Sequence, residues 1–462
     1  MKKRFFKNLL KFDNSFVFIF TFIILAMVLT YVVPAGQYDR VTDDAGTETV
    51  LENSFHAVEQ HPVNPARMFV CIAQGFINTA DVIFCILMAY CFMGFLVRYG
   101  VFDGLIKVLI RKMRNKAFLL LPAVMIFFGL LGSVAGLAEE TFGMFPICIA
   151  LAVAIGYDEI VGGAIVYLAV FTGFASATFN PYTIGVAQTI AGLPLYSGLW
   201  LRVVCWVVFM GILIAYVMRY AAKIKKDPTK SYLYSPEKKS AVIGENSNDV
   251  PMTIRQKLCL ALFGAVFAAI ICGSLFFKWY IMEITALFIA AGVLAGIILG
   301  LSANDIANSF VELGSETMFS MLVIGLSNAV CVVLNEGYVA DSIVHGMASL
   351  LNGTTGYLTA SVMLVIQNLL NFFIPSGPGQ AAVSMPIMSS LADATGISRQ
   401  LAVLAFQFGD GYSNIFWPTM VCMMCGIMKI PVTKWYRFVF PLFGIMFAVQ
   451  LAIILFAAGI GY

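Results

Sequence analysis

Gly136-Leu137-Ala138-Glu139-Glu140-Thr141-Phe142-Gly143-Met144-Phe145-Pro146 sits inside an apolar run that extends from Leu119 to Ala154. Two adjacent carboxylates in a membrane segment are costly, at about 2.5–3.5 kcal/mol for each charge at the bilayer centre. Glycines on both sides of the pair argue against a plain helix. Irregular backbone at membrane depth survives where protein encloses it or where it lines a wet cavity. The stretch therefore reads as the tip of a re-entrant hairpin, about 117–156, that carries a binding site. A loop at the membrane surface is the plainer alternative, and a second stretch of the same kind speaks against it.

The 462 residues are 60% hydrophobic and 11% charged, whereas a soluble domain has about 45–50% apolar and about 25% charged residues. This composition predicts an all-α polytopic protein of the lipid bilayer. A net charge of +3 gives no case for nucleic acid, because the basic residues lie at membrane ends. The cysteines fall mostly within apolar spans and act there as small hydrophobes. Cys422-Met-Met-Cys425 has redox spacing but no thioredoxin-like pattern around it. His56, His61 and His345 offer no metal cluster, so no cofactor is expected beyond a coupling H⁺ or Na⁺. The first apolar run, Phe16 to Pro34, is long enough to span and lacks a signal-cleavage pattern.

Charge orients the chain. Lys2, Lys3, Arg4, Lys7 and Lys11 place residues 1–15 in the cytoplasm. The first helix then leads to an acidic outer loop, 35–66, followed by a short interfacial helix, 66–78, and a returning span, 81–98. Val101 to Arg114 is amphipathic and cationic, as suits a helix on the inner surface. After the hairpin, an apolar run at about 160–192 is interrupted by Ser176-Ala-Thr178-Phe-Asn180-Pro181-Tyr-Thr183 and predicts a broken helix. A span at 197–220 closes the first half, 16–221. Residues 222–256 read as a flexible cytoplasmic linker.

The second half, 257–462, holds spans at about 257–277, 282–300 and 318–335. Residues 303–316, expected inside, carry Asp305, Glu312 and Glu316 without a cation. An interfacial stretch at 339–352 follows, then a second hairpin at about 357–392 with its polar tip at Ile374–Gln380, a broken helix at about 398–430 with its break at Gly409-Asp410-Gly411-Tyr412-Ser413-Asn414, and a last span at 436–459. The C-terminus falls outside. In all, about nine transmembrane helices accompany two hairpins and two broken helices.

The halves repeat. Phe171-x4-Ser176-x2-Phe179-x-Pro181 recurs as Phe408-x4-Ser413-x2-Phe416-x-Pro418, and Met144-Phe-Pro146-Ile faces Ser384-Met-Pro386-Ile. The charges make the halves opposite in orientation, the signature of secondary transporters built from inverted repeats. Four irregular segments then converge at the midplane. They offer Glu139, Glu140, Thr141, Thr178, Asn180, Thr183, Ser376, Gly377, Gly379, Gln380, Asp410, Ser413 and Asn414 as substrate or ion ligands, with no Lys or Arg among them. Helix N-termini supply partial positive charge for a carboxylate, and the three acids suit a cation. For each hydroxyl or amide, helix–helix hydrogen bonding is the alternative role.

At Ala138–Pro146, Ala177–Thr183, Ile374–Gln380 and Phe408–Asn414 the chain resembles the anaerobic dicarboxylate carrier family of the ion-transporter superfamily, most closely its branch of basic amino-acid antiporters. The resemblance covers nearly the whole chain except residues 1–12 and the linker. It implies a homodimer whose scaffold domains hold the partner while transport domains of hairpins and broken helices move as elevators. The chain lacks the Ser-Asn-Thr hairpin tips of the superfamily's dicarboxylate/Na⁺ symporters.

The expected function is therefore a secondary transporter of the cytoplasmic (inner) membrane. It would carry an amino acid, specifically a basic one, by exchange or ion-coupled alternating access. A dicarboxylate carrier coupled to protons or Na⁺ is the alternative. Paired hairpins disfavour a channel. Acids adjacent in sequence, without His-Glu-x-x-His, disfavour an intramembrane enzyme.

Overall fold

The computed structural model describes residues 15–42, 48–51, 53–102, 117–235, 252–277, 279–351, 353–354 and 356–462. The basic N-terminal stretch up to residue 14, the cationic segment 103–116 and linker residues 236–251 lie outside them.

Helices α1 (Ser15–Val32), α2 (Pro65–Asn78) and α3 (Ala80–Arg98) come first. Then follow α4 (Leu120–Leu130, continued by a π-helical turn over Leu131–Ala135), α5 (Phe145–Ala154), α6 (Glu159–Ala175), α7 (Val186–Ile190) and α8 (Leu199–Lys226). The second half runs α9 (Ile254–Phe276), α10 (Ile281–Leu299), α11 (Ala303–Glu336), α12 (Ala340–Ser349), α13 (Tyr357–Phe373), α14 (Gly377–Thr395), α15 (Arg399–Ser413), α16 (Pro418–Met428) and α17 (Val432–Gly459).

Five described helices, α3, α8, α9, α10 and α17, are long and apolar enough to cross a bilayer. A sixth is added if α11, bent by 44° near its middle, is one span. The segments 120–135, 159–175 and 357–373 are apolar but shorter. At about 1.5 Å per residue they reach about 24–26 Å, less than the roughly 30 Å hydrocarbon core. Each of them ends at one of the irregular stretches.

Three boundaries differ from the sequence reading. The span expected at 318–335 is the second part of a 34-residue helix. It starts early because Ser302 and Asp305 form a reciprocal capping box. The acids on 303–316 that had no cation in sequence find Arg98, which pairs with Glu312, and Lys429, 3.1 Å from Glu316. The linker is shorter than 222–256: α8 continues to Lys226 on a run of cations that suits a helix C-terminus, and Thr253 caps α9.

The fold is also not purely helical, because the outer loop forms two antiparallel pairs. Gly36–Gln37 (β1) pairs with His56–Ala57 (β4), and Arg40–Thr42 (β2) with Glu48–Val50 (β3). Asp341 of α12 holds this loop, accepting from the Tyr38 amide at 3.0 Å and from Arg40 Nη2 at 2.8 and 2.9 Å. The Tyr38 hydroxyl lies 3.0 Å from His345 Nδ1.

Burial, and secondarily the Asp341 carboxylate, push the Tyr38 phenol from 10.0 up to about 12. The fold therefore favours the protonated phenol. Its contribution, at most about 3 kcal/mol, is full below pH 10 and is lost as pH rises toward 12. Tyr38→Phe is expected to flatten the fall of melting temperature over that window. A variant curve parallel to the wild type would reject this anchor.

Among the described residues packing forms a large apolar core and, beside a small cluster of Cys91, Phe95, Ile306 and Leu313, a smaller one. The smaller joins α1, α2 and the second part of α11 through Ile19, Ile23, Met68, Cys71, Val330 and Leu334. The larger surrounds the irregular stretches: α4 packs on α6, α13 on α15, and α6 crosses α15. In each half, the helix leading into a tip packs on the helix leading into a break.

Candidate functional site

Tip 1 is made by α4 ending in its π-turn at Gly136, whose φ is +67°. A side chain there is doubly excluded, since a methyl would lie 2.4 Å from Asn180 Oδ1. Ser133 ties the tip to the first break: its carbonyl accepts from the amides of Thr178 (2.9 Å) and Phe179 (3.2 Å), and its hydroxyl meets Thr178 Oγ1 at 3.1 Å. Asn180 donates to the Gly132 carbonyl at 3.3 Å. It also restarts the helix, accepting from the amides of Tyr182 (2.9 Å) and Thr183 (3.2 Å), with Pro181 at the first helical position. Thr178 and Asn180 therefore hold the two irregular segments together.

The acid pair opens a 3₁₀ turn over Glu139–Met144. Glu140 is buried and accepts from the Ala138 amide at 3.0 Å, while Thr141 donates to the Ala138 carbonyl at 2.6 Å. Glu139 is half-buried.

Tip 2 turns at Ile374-Pro375-Ser376. Ser376 is exposed and caps α14, accepting from the Gly379 amide at 3.4 Å. A methyl on Gly377 would lie 2.7 Å from Thr183 Cγ2 and 3.3 Å from Asp410 Oδ2. Tip 2, the restarted helix of break 1 and the end of α15 thus meet at one point. Gln380 faces away from it, bracing the second hairpin internally: its Nε2 donates to Gln367 O (2.9 Å) and Oε1 (2.7 Å).

The second break starts later than the sequence predicts. Gly409–Ser413 remains helical, and the chain opens between Asn414 and Trp417. The two glycines serve close packing: a methyl on Gly411 would lie 2.4 Å from the Ala175 amide, and one on Gly409 2.4 Å from Gln367 Cβ. Asn371 of α13 donates to Ser413 Oγ (2.7 Å), Asn414 Oδ1 (3.1 Å) and the Asp410 carbonyl (3.1 Å). Tyr167 of α6 donates to the Asn414 carbonyl at 2.6 Å. The freed backbone groups are thus satisfied by side chains inside the protein.

The acids form an electrostatic cluster. Asp410 and Glu139 act on each other, as do Glu139 and Glu140. Asp81, in the first turn of α3, acts on Glu139. Among the described residues no Lys or Arg pairs with any of the four carboxylates. Asp410 Oδ1 and Thr183 Oγ1 are buried without a hydrogen-bond partner. Among the described residues no three His, Cys, Asp or Glu side chains gather as a metal site.

The sequence reading did not include Ser133, Asn371, Gln367, Asp81 or Tyr280. Tyr280 feels the charge of Glu139 and Glu140, and its ring lies 5.3 Å from that of Tyr182. Gln367, Asn368 and Asn371 were visible as amides on one apolar helix. Asp81 and Tyr280 carried no local signal, because they reach the acids only through the folding of distant helices.

The chain matches the C4-dicarboxylate anaerobic carrier family, DcuC, over residues 12–459. It is 32% identical to "Putative basic amino acid antiporter YfcC" of Escherichia coli (strain K12), covering 97% of both chains. It is 30% identical to an uncharacterized protein of Haemophilus influenzae (strain ATCC 51907 / DSM 11121 / KW20 / Rd), covering 95% of both. Two solved structures align at a TM-score of 0.44. One is the YdaH transporter of Alcanivorax borkumensis (14% identity, 97% of this chain and 99% of that one). The other is Neisseria gonorrhoeae MtrF, described with a class of antimetabolite efflux pumps (16%, 96% and 95%). At that score neither assigns one helix to another. The extent of the family match and of the two relatives settles the class: the chain is a multi-pass membrane transporter, not an enzyme, and belongs to the C4-dicarboxylate anaerobic carrier family.

Proposed function

We propose that this transporter carries a basic amino acid by exchange or ion-coupled alternating access. The observation that carries the reading is the cluster of Glu139, Glu140, Asp81 and Asp410, with no basic side chain paired to it among the described residues, whose Asp410 lies where tip 2, the restarted helix of break 1 and the end of α15 meet. A cationic side chain would be held by these acids. The α-carboxylate would face the N-terminus of α14 at Gly377 and the helix restarted after Asn180, where the helix dipole favours an anion. The name given to the Escherichia coli relative agrees with this substrate class.

The matched pairing of α4 with α6 and α13 with α15 supports two inverted repeats. On this reading hairpins and broken helices form the moving transport domain of an elevator, and a homodimer supplies the scaffold. The protein lies in the inner membrane, N-terminus inside and C-terminus outside.

A second reading has its own support in the family's description as C4-dicarboxylate carriers. Here the cargo is a C4-dicarboxylate, and Asp410 Oδ1 and Thr183 Oγ1 receive a proton or Na⁺, for which hard oxygen ligands are suited. A thermal-shift screen of the purified protein separates the two, because a ligand that binds the folded form raises its melting temperature. Arginine, ornithine or lysine should stabilise it, with a rise of about 3 kcal/mol in unfolding free energy at a hundredfold excess over Kd. Stabilisation by succinate or fumarate alone would overturn the amino-acid reading in favour of the second.

A further inference from the structure

Away from the acid cluster, an open groove of about 730 Å³ runs between the two feet of the first hairpin and α8. That is within the size range of small-molecule sites, about 300–1,000 Å³. Phe118, just before α4, and Tyr157, just after α5, form one wall. The other wall is a single face of α8. Ala215, Met218 and Ala222 make its apolar stretch, and Arg219, Lys225 and Lys226 make its cationic end.

The three cations are exposed, and none pairs with a carboxylate among the described residues. The nearby acids are engaged elsewhere. Asp227 lies 3.3 Å from Lys230, and Asp158 accepts from Tyr220 (2.6 Å), Ser231 (2.7 Å) and the Val161 amide (3.0 Å). Lys225 Nζ sits 5.2 Å over the Tyr157 ring, which holds it beside the groove.

We propose that this groove seats an anionic phospholipid. Its phosphate lies against Arg219, Lys225 and Lys226, and an acyl chain runs along Met218 and Phe118. The order of the lining supports this occupant over a soluble one: apolar residues lead to unpaired positive charge at the end of a membrane helix, the arrangement that recognises a lipid headgroup. Because both feet of the hairpin line the groove, the lipid bridges the hairpin to α8.

The test uses the full-length protein in detergent, with phosphatidylglycerol and phosphatidylethanolamine as probes, read by native mass spectrometry and by melting temperature. Phosphatidylglycerol should be retained and should raise the melting temperature, and phosphatidylethanolamine should do neither. Each cation near a membrane surface is worth about fivefold in affinity, so R219Q/K225Q/K226Q should weaken phosphatidylglycerol binding about 100-fold. Met218→Trp fills the apolar part without touching charge and should weaken binding about tenfold or more. Gel-filtration profiles establish that both variants fold. Equal retention of the two lipids overturns the proposal. So does a loss confined to the charge variant, which marks diffuse surface attraction, and so does binding unchanged in both variants, as when the chain's own residues fill the groove.

Discussion

Asp410→Asn should lower the affinity for a cationic substrate by about 30-fold to several thousandfold, while the protein still folds. The magnitude is that of removing one partner of a buried charge pair, about 2–5 kcal/mol. The substitution keeps the shape of the side chain. It removes no native hydrogen bond at Oδ1, which has no partner; the bonds that fix this region run to the Asp410 carbonyl, from Asn371 at 3.1 Å and Asn414 at 2.7 Å. Glu140→Gln should behave alike, since an amide oxygen can still accept from the Ala138 amide. Asp39→Asn, on the exposed outer loop, should change neither uptake nor stability.

Uptake of arginine and of succinate into proteoliposomes, at several Na⁺ concentrations and pH values, reads the result. Lost arginine uptake with unchanged dependence on the coupling ion fits the acids as substrate ligands. Retained uptake with weakened dependence on H⁺ or Na⁺ assigns them to the coupling ion. Full retention of both in Asp410→Asn and Glu140→Gln would remove the cluster from the mechanism.

The second large effect is structural. Gly411→Ala should lower the melting temperature by about 5 °C or more and abolish transport. Overpacking a core costs about 1–3 kcal/mol and occasionally more. Here the obstacle at 2.4 Å is the backbone of α6, which no rotamer change can move. Gly173→Ala should act in the same way, because its methyl would lie 2.1 Å from the Gly129 carbonyl of α4. Gly211, in α8, has nothing within 4 Å of its added methyl. Gly211→Ala should therefore be neutral or stabilising by up to about 1 kcal/mol. If the Gly411 and Gly211 variants melt alike, close approach is not why Gly411 is glycine.

These glycines show what a sequence yields and what it withholds. The breaks were legible because their causes are local: Pro181 and Pro418 each start a helix, and Asn180 caps within three residues. The first tip was legible from glycine beside carboxylate, and the second from its run of Pro375, Ser376, Gly377 and Pro378. Gly409 and Gly411 were misread as part of the second break, since a glycine that admits a neighbouring helix looks the same in sequence as one that relaxes the chain. Gln380 belonged to a polar tip in sequence, yet its amide turns to Gln367 on the opposite arm. The strand pairs of the outer loop escaped notice because each is only two or three residues long and is held by Asp341, some 300 positions away. What separates these cases is the distance along the chain over which the deciding contact acts.

The unpaired acids also have an electrical side. In a carrier of the proposed kind, the charge of the site travels with it, and the membrane potential acts on that charge with about 2.3 kcal/mol per elementary charge per 100 mV. Empty and ionised, the cluster is a negative load; occupied by a cation it is closer to neutral. The occupied form then crosses with little electrical work, while the field holds the empty form at one face. Such a device resists returning without a passenger, which is the condition for exchange. The current measured per turnover would count the carboxylates that stay ionised during the crossing.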